Sequence, residues 1–180
     1  MTQTDTKAFL QALFPELGPT ALIELRGFAP GKKGEPPVLR RWCQSVQEIV
    51  TICEQKCSTL DLYFGVAARA SEGATKGALA YAAALSADLD ASQSTKALER
   101  LQHRPSVVVA SGSSGHLQAY WLLREPQPLV APADLKHFEE RNRGLAQYLH
   151  ADHAWDATRI FRLPGTLNHK NGQQRPVELL

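Results

Sequence analysis

The run Leu79-Ala80-Tyr81-Ala82-Ala83-Ala84-Leu85-Ser86-Ala87-Asp88-Leu89 constrains the fold most. It is almost wholly apolar until it ends in acids, and Asp90 follows at once. A continuous apolar run of strand length suits a strand buried on both faces. Such a strand needs neighbouring strands and covering helices. The rest of the chain supplies them in order. Residues 94–103 read as a helix stopped by Pro105, and residues 107–109 form a β-branched run suited to a central strand. Residues 112–115 are a tight polar turn, and residues 116–123 read as a strand folded back by it. Residues 132–149 show helical periodicity through Leu135, Phe138, Leu145 and Leu149, and residues 177–180 read as a last strand. Strand, helix, strand, strand, helix, strand is the split βαβ order of ferredoxin-like and RRM-like folds.

The segment before this run is less regular. Residues 6–14 read as a helix, 21–28 as a strand, 30–37 as an exposed Pro/Gly/Lys loop and 60–68 as a strand. Ser45 is placed to cap a helix running to about residue 57, with Gln47 and Glu48 in its first turn and Val46, Ile49, Val50 and Cys53 on its buried side. The expectation is an α+β chain with an N-terminal α/β module over about 1–78 and an RRM-like (split βαβ) unit over about 79–180, in one domain spanning 1–180.

Composition narrows the class further. No stretch approaches the ~20 apolar residues of a membrane span. The polar start lacks the pattern of a secretory signal, so a cytoplasmic protein is expected. The cysteines, Cys43, Cys53 and Cys57, form no CxxC pair and read as reduced thiols. The net charge of +2 names no partner. Its distribution says more, with Lys32, Lys33, Arg40 and Arg41 in one group and Arg159, Arg162, Lys170 and Arg175 in another. Either group suits phosphate contacts or a solvated basic face.

Three places carry possible chemistry. Asp88 and Asp90 lie two apart at a strand end, so both carboxylates project to one side. Like charges this close favour protonation unless a hard divalent cation intervenes. Solvated acids, with Asp90 capping the next helix, are the plain alternative. Ser111-Gly112-Ser113-Ser114-Gly115-His116 is a small-residue turn whose amides can approach an anion, and Ser114 and His116 can face one ligand. Such a string also makes an ordinary hairpin turn. The segment 152–170 is dense in functional atoms: an acid there suits a third metal position, and Arg159, Arg162 and Lys170 suit phosphates.

On these residues the sequence resembles the archaeo-eukaryotic primase superfamily, in its primase-polymerase branch of plasmids, phages and mobile elements. The resemblance runs over about 60–180. It rests on Leu62-Tyr63-Phe64-Gly65-Val66-Ala67-Ala68-Arg69, Thr75-Lys76, Asp88-Leu89-Asp90, Ser114-Gly115-His116 and, most specifically, the stretch from Arg159 to Lys170. It implies a primase-polymerase catalytic core that transfers nucleotides from dNTP or NTP to a primer 3′-hydroxyl or an initiating nucleotide on single-stranded DNA. Asp88, Asp90 and Asp156 would be the catalytic acids holding two divalent ions, magnesium or manganese, with Asp152 in reserve for Asp156. Ser114, His116, Arg159, Arg162 and Lys170 would bind nucleotide, with Asn168 and Arg69 as further candidates. The sequence shows no zinc motif, so extension of a primer is the plainer expectation, and a helicase or accessory priming domain is an expected partner. A non-catalytic RRM-like nucleic-acid binder is the alternative, with Tyr63, Phe64, Tyr120 and Trp121 as stacking candidates. A nicking initiator is disfavoured because His150 and His153 have the wrong spacing. A metal-dependent nuclease fits the acids but explains the basic turn less well.

Overall fold

Helix α1 (Gln3–Leu13) leads into strands β1 (Ile23–Phe28) and β2 (Leu39–Cys43), helix α2 (Val46–Lys56) and strands β3 (Asp61–Gly65), β4 (Ala68–Arg69) and β5 (Leu79–Leu89). Helix α3 (Ser94–Glu99), strands β6 (Val107–Ala110) and β7 (Leu117–Pro128) and helix α4 (Pro132–Leu149) come next. Short strands β8 (Ile160–Arg162), β9 (Leu167–Asn168), β10 (Arg175–Pro176) and β11 (Glu178–Leu179) complete the chain. This computed structural model describes residues 3–15, 17, 20–32, 34–91, 94–99 and 101–180.

The fold is α+β. Strand β5 is antiparallel to β7, and β7 is antiparallel to β6. Strands β5 and β6 therefore run parallel with β7 between them, which is the split βαβ order expected. The final strand departs from the ferredoxin pattern: β11 joins β6, and β4 takes the far edge of β5, giving the order β11-β6-β7-β5-β4. The chain's path explains this. After α4 it first enters the other sheet as β8 beside β3. It returns through β9 and β10, which press on the β6–β7 turn. A Cβ at Gly112 would lie 2.8 Å from Asn168 Cβ and 3.0 Å from the Pro176 carbonyl oxygen. The return is thus delivered to the β6 edge.

The other main sheet has the order β2-β1-β3-β8. Each of these two main sheets contains strands from both sides of residue 78, because β8 completes one and β4 the other. One apolar core joins them. At its centre Phe9 of α1 meets Phe64 of β3 edge-on at 5.2 Å and Tyr120 of β7 at 5.3 Å, and Tyr120 meets Phe161 of β8 at 6.0 Å. Such edge-to-face pairs each add about 0.5–1.5 kcal/mol beyond their buried area.

Local sequence explains the helix ends. The Ser45 hydroxyl accepts from the Glu48 amide at 3.1 Å, while the Glu48 carboxylate accepts from the Gln44 amide at 3.0 Å. Helix α4 starts at Pro132, which has no amide to leave unpaired, and ends at His150 in the left-handed region. Strand β7 runs past the expected residue 123 because a register shift between Ala82 and Ala84 lets the ladder continue to Pro128. Helix α3 ends at Glu99, short of the expected residue 103, and Arg100 lies outside the described residues. All three cysteines are buried and free, and burial pushes the Cys43 and Cys53 thiols up to about 12. Among the described residues no helix is long and apolar enough to cross a membrane.

Candidate active site

Strands of the two main sheets and their loops line an open cleft of about 700 Å³. The β1–β2 loop contributes Lys32 and Glu35, β3 contributes Asp61 and Tyr63, and β5 contributes Asp88. The β6–β7 turn and β7 bring Ser111, Ser113, His116 and Gln118; β8 and its flanks bring Arg159, Arg162 and Lys170. The volume suits a small-molecule ligand.

Asp88 is the acid in this wall nearest the strand end. Burial holds its carboxyl above the usual range, and the nearby Asp152 adds to the effect. Arg159 and His116 pull the other way, and Asp90 pushes up again. Asp152 is brought here by the left-handed turn at His150, and its amide donates to the Asp88 carbonyl at 3.0 Å. Asp90 is half exposed and sits 3.0 Å from His116 Nδ1. Arg159 and Lys170 form no ion pair with a carboxylate among the described residues, although Arg159 acts electrostatically on Asp88.

The serine-glycine turn is braced from behind. Gly112 and Gly115 have φ of 73° and 71°, and the Ser111 amide donates to the His116 carbonyl at 3.1 Å. Asn168 is buried; its Nδ2 donates to the Ser111 carbonyl at 2.8 Å and the Ser113 hydroxyl at 3.2 Å. Its Oδ1 accepts from the Lys170 amide at 3.0 Å. Asn168 therefore fixes two segments relative to each other. Ser114, by contrast, is exposed and outside the cavity lining, where Ser111 and Ser113 stand instead.

Arg162 is held as firmly. Its Nη1 donates to Asp61 Oδ1 at 2.9 Å, and its guanidinium lies 4.7 Å from the Tyr63 ring centre. The same Asp61 oxygen accepts from the His169 amide at 2.8 Å. Asp61 was not singled out from the sequence, because both partners lie more than a hundred residues away. Its position at the head of an apolar strand, in step with Tyr63, was the available signal.

Two expected site residues stand elsewhere. Asp156 is turned away from the cavity toward the β4–β5 connection. Burial alone would raise its carboxyl, but hydrogen bonds from the Thr158 side chain and amide, and from Lys76, hold it below the usual range. Lys76 Nζ lies 3.0 Å from it and also pairs with Glu139 at 2.6 Å. Arg69 is buried in the core, with Nη2 2.6 Å from Glu24 and Nη1 donating to the Gly73 carbonyl at 2.7 Å. It cannot reach a ligand in the cavity. Lys33 lies outside the described residues. Of the stacking candidates, Phe64 and Tyr120 are core residues, and Tyr63 lies under Arg162. Trp121 is half-buried, and its indole N–H donates to the His103 carbonyl at 3.1 Å.

Among the described residues no three His, Cys, Asp or Glu side chains gather closely enough to hold a metal by themselves. Small hard ions commonly take one or two carboxylates, with water and substrate phosphates completing the shell. Asp88, its charge uncompensated by a contacting cation and Asp152 beside it, fits that kind of partial site.

No family model matches the sequence, and no curated protein matches it. Solved structures do. The archaeo-eukaryotic primase domain of the cyanophage S-2L primase-polymerase superposes with a TM-score of 0.73 over 99% of this chain and 89% of that one, at 14% identity. The primase RepB′ gives 0.61 over 97% of this chain and 56% of that one, at 18% identity. The catalytic domain of RepB′ primase in complex with initiator DNA gives 0.59 over 97% and 84%, at 19% identity. The chain has the archaeo-eukaryotic primase-polymerase fold.

Proposed function

We propose, from that fold and the cavity it carries, that this chain is a metal-dependent nucleotidyltransferase that extends nucleic acid on a single-stranded template. The observation that carries the reading is Asp88, a partly buried carboxylate whose carboxyl is raised by desolvation and by Asp152, in a wall that also presents Arg159, Lys170 and the braced serine-glycine turn. A carboxylate in need of a cation beside cations in need of an anion suits a metal-bound triphosphate.

In this reading Asp88 and Asp90 hold the divalent ions, magnesium or manganese, and Asp152 takes the third position in place of Asp156. When bound, the ions would lower the pKa of the attacking hydroxyl and neutralise charge on the leaving group. Ser113, the amides of the β6–β7 turn and His116 bind triphosphate oxygens, and Arg159 and Lys170 stabilise the charge that builds there. The primer 3′-hydroxyl gives up its proton to water, its oxygen bonds to the α-phosphorus, the bond from that phosphorus to the bridging oxygen breaks, and pyrophosphate leaves. Asp61 acts at one remove by aiming Arg162. Partners are a single-stranded DNA template, a primer and dNTP or NTP, with a helicase or accessory domain for starting chains.

The test is incorporation of labelled dNTPs and NTPs on primed and unprimed single-stranded DNA, with magnesium or manganese. Metal-dependent product with a primer supports a polymerase, and product without one adds priming. A folded, DNA-binding protein that makes no product and binds no triphosphate would sink the reading.

A further inference from the structure

Gln118 is a buried polar residue that the scheme above leaves unused. It is 4% exposed, lines the cavity, and its Oε1 has no hydrogen-bond partner. Buried side-chain oxygens are nearly always paired, so an orphan in a cavity wall points to something the cavity takes up. Its place in the sheet narrows what that is. Gln118 of β7 stands directly opposite Asp88 of β5 in the antiparallel ladder. Directly opposed side chains on one sheet face are close neighbours, with Cβ atoms about 4.5–5.5 Å apart. On the other edge of β5 the Asp152 amide donates to the Asp88 carbonyl. Asp88 is therefore flanked by an amide on one side and an acid on the other.

An ionised carboxylate offers only acceptors, and so does the free Gln118 oxygen. While Asp88 is ionised, its carboxylate and that oxygen cannot satisfy each other. Both are satisfied by a cation or by its water ligands, and amide carbonyl oxygens are regular ligands of hard divalent ions.

We infer that the Gln118 amide oxygen is a ligand of the divalent ion held by Asp88, directly or through one of that ion's waters. This rests on the proposed nucleotidyl-transfer reading and adds a neutral oxygen donor to its acids. The neutral donor lets the site bind an ion without placing another negative charge beside Asp88, Asp90 and Asp152.

The test is manganese titration of the nucleotide-free protein, followed by electron paramagnetic resonance, together with metal-free thermal melts. Gln118→Met keeps the side-chain length and removes the oxygen. The expected result is manganese affinity weakened roughly tenfold, in the range seen when a metal's supporting groups are lost, with a metal-free melting temperature equal to or above wild type. Asp88→Asn should abolish the same binding. Gln118→Asn, which keeps an amide on a shorter stem, should fall between wild type and Gln118→Met. Unchanged manganese affinity in Gln118→Met, with Asp88→Asn still abolishing it, overturns this inference and leaves the ion site standing. Weakened affinity accompanied by a lower metal-free melting temperature also overturns it, because that is the mark of a packing residue. Wild type that binds no manganese, or binding that survives Asp88→Asn, removes the proposed ion site and this inference with it.

Discussion

The resemblance implies a metal-holding role for both Asp88 and Asp156. In the structure they are opposites. Asp156 is saturated, with Thr158 donating twice to one oxygen and Lys76 paired with the other. Asp88 is more deeply buried, flanked by Asp152, and held above the ordinary carboxyl range. An acid whose charge is already balanced has a structural task. Asp88, partly buried and without a contacting cation among the described residues, is the acid to which the proposed function gives a metal ion.

The largest expected difference between the two is catalytic. Asp88→Ala should lower primer extension by at least about a thousandfold, the scale on which electrostatic groups at a reacting centre act, with an unchanged circular dichroism spectrum. Asp156→Ala should leave most extension activity in place. Its cost should appear as stability, about 1 kcal/mol in a urea melt, since the lost pair is half exposed. Equal losses of activity in the two variants, with both folds intact, would erase the contrast.

A middle-sized effect concerns the brace behind the turn. Asn168→Ala removes both donors to the serine-glycine turn and the acceptor for Lys170. KM for nucleotide should rise by about an order of magnitude or more, because buried polar groups lose their partners at about 1–3 kcal/mol each. Steady-state kinetics in excess template would measure it. A KM equal to wild type would show that the turn is held without Asn168.

The smallest effect is on pH dependence, and the two acids should differ in sign. The Asp156 carboxyl is depressed in the fold, so its stabilisation is present above the ordinary value of 3.8 and fades as pH falls through the lower folded value. The Asp88 carboxyl is raised, so its contribution is fully present below 3.8 and is lost as pH rises through the higher folded value. In metal-free buffer at neutral pH, Asp88→Asn should therefore melt above wild type and Asp156→Asn below it. The Asp88→Asn difference should vanish once pH falls below 3.8. A melt in which both variants shift the same way at neutral pH would contradict the assignment.

What was legible in the sequence follows from the range of the interactions involved. Strand β5 and helix α4 fall where their patterns put them, because a long apolar run and a long helical period are local signals. Ser45 was readable because the group it caps is three residues on. Strand β2 was missed: Arg40 and Arg41 interrupt any apolar alternation, and Arg40 is accounted for only by Glu24 on the neighbouring strand. Arg69 looked like a ligand-binding arginine for the same reason, since its partner Glu24 is remote in sequence. Asp152 is delivered beside Asp88 by the left-handed residue His150, which no spacing rule reveals. Asp61 was hidden because its partners Arg162 and His169 are remote in sequence, and Gln118 because its place opposite Asp88 is set by strand register.

A single parallel assay separates these acids most directly: primer extension under single-turnover conditions by Asp88→Asn, Asp152→Asn and Asp156→Asn, each checked for an intact fold. The proposed function predicts that Asp88→Asn and Asp152→Asn lose extension while Asp156→Asn keeps it. A folded but inactive Asp156→Asn beside an active Asp152→Asn would contradict it.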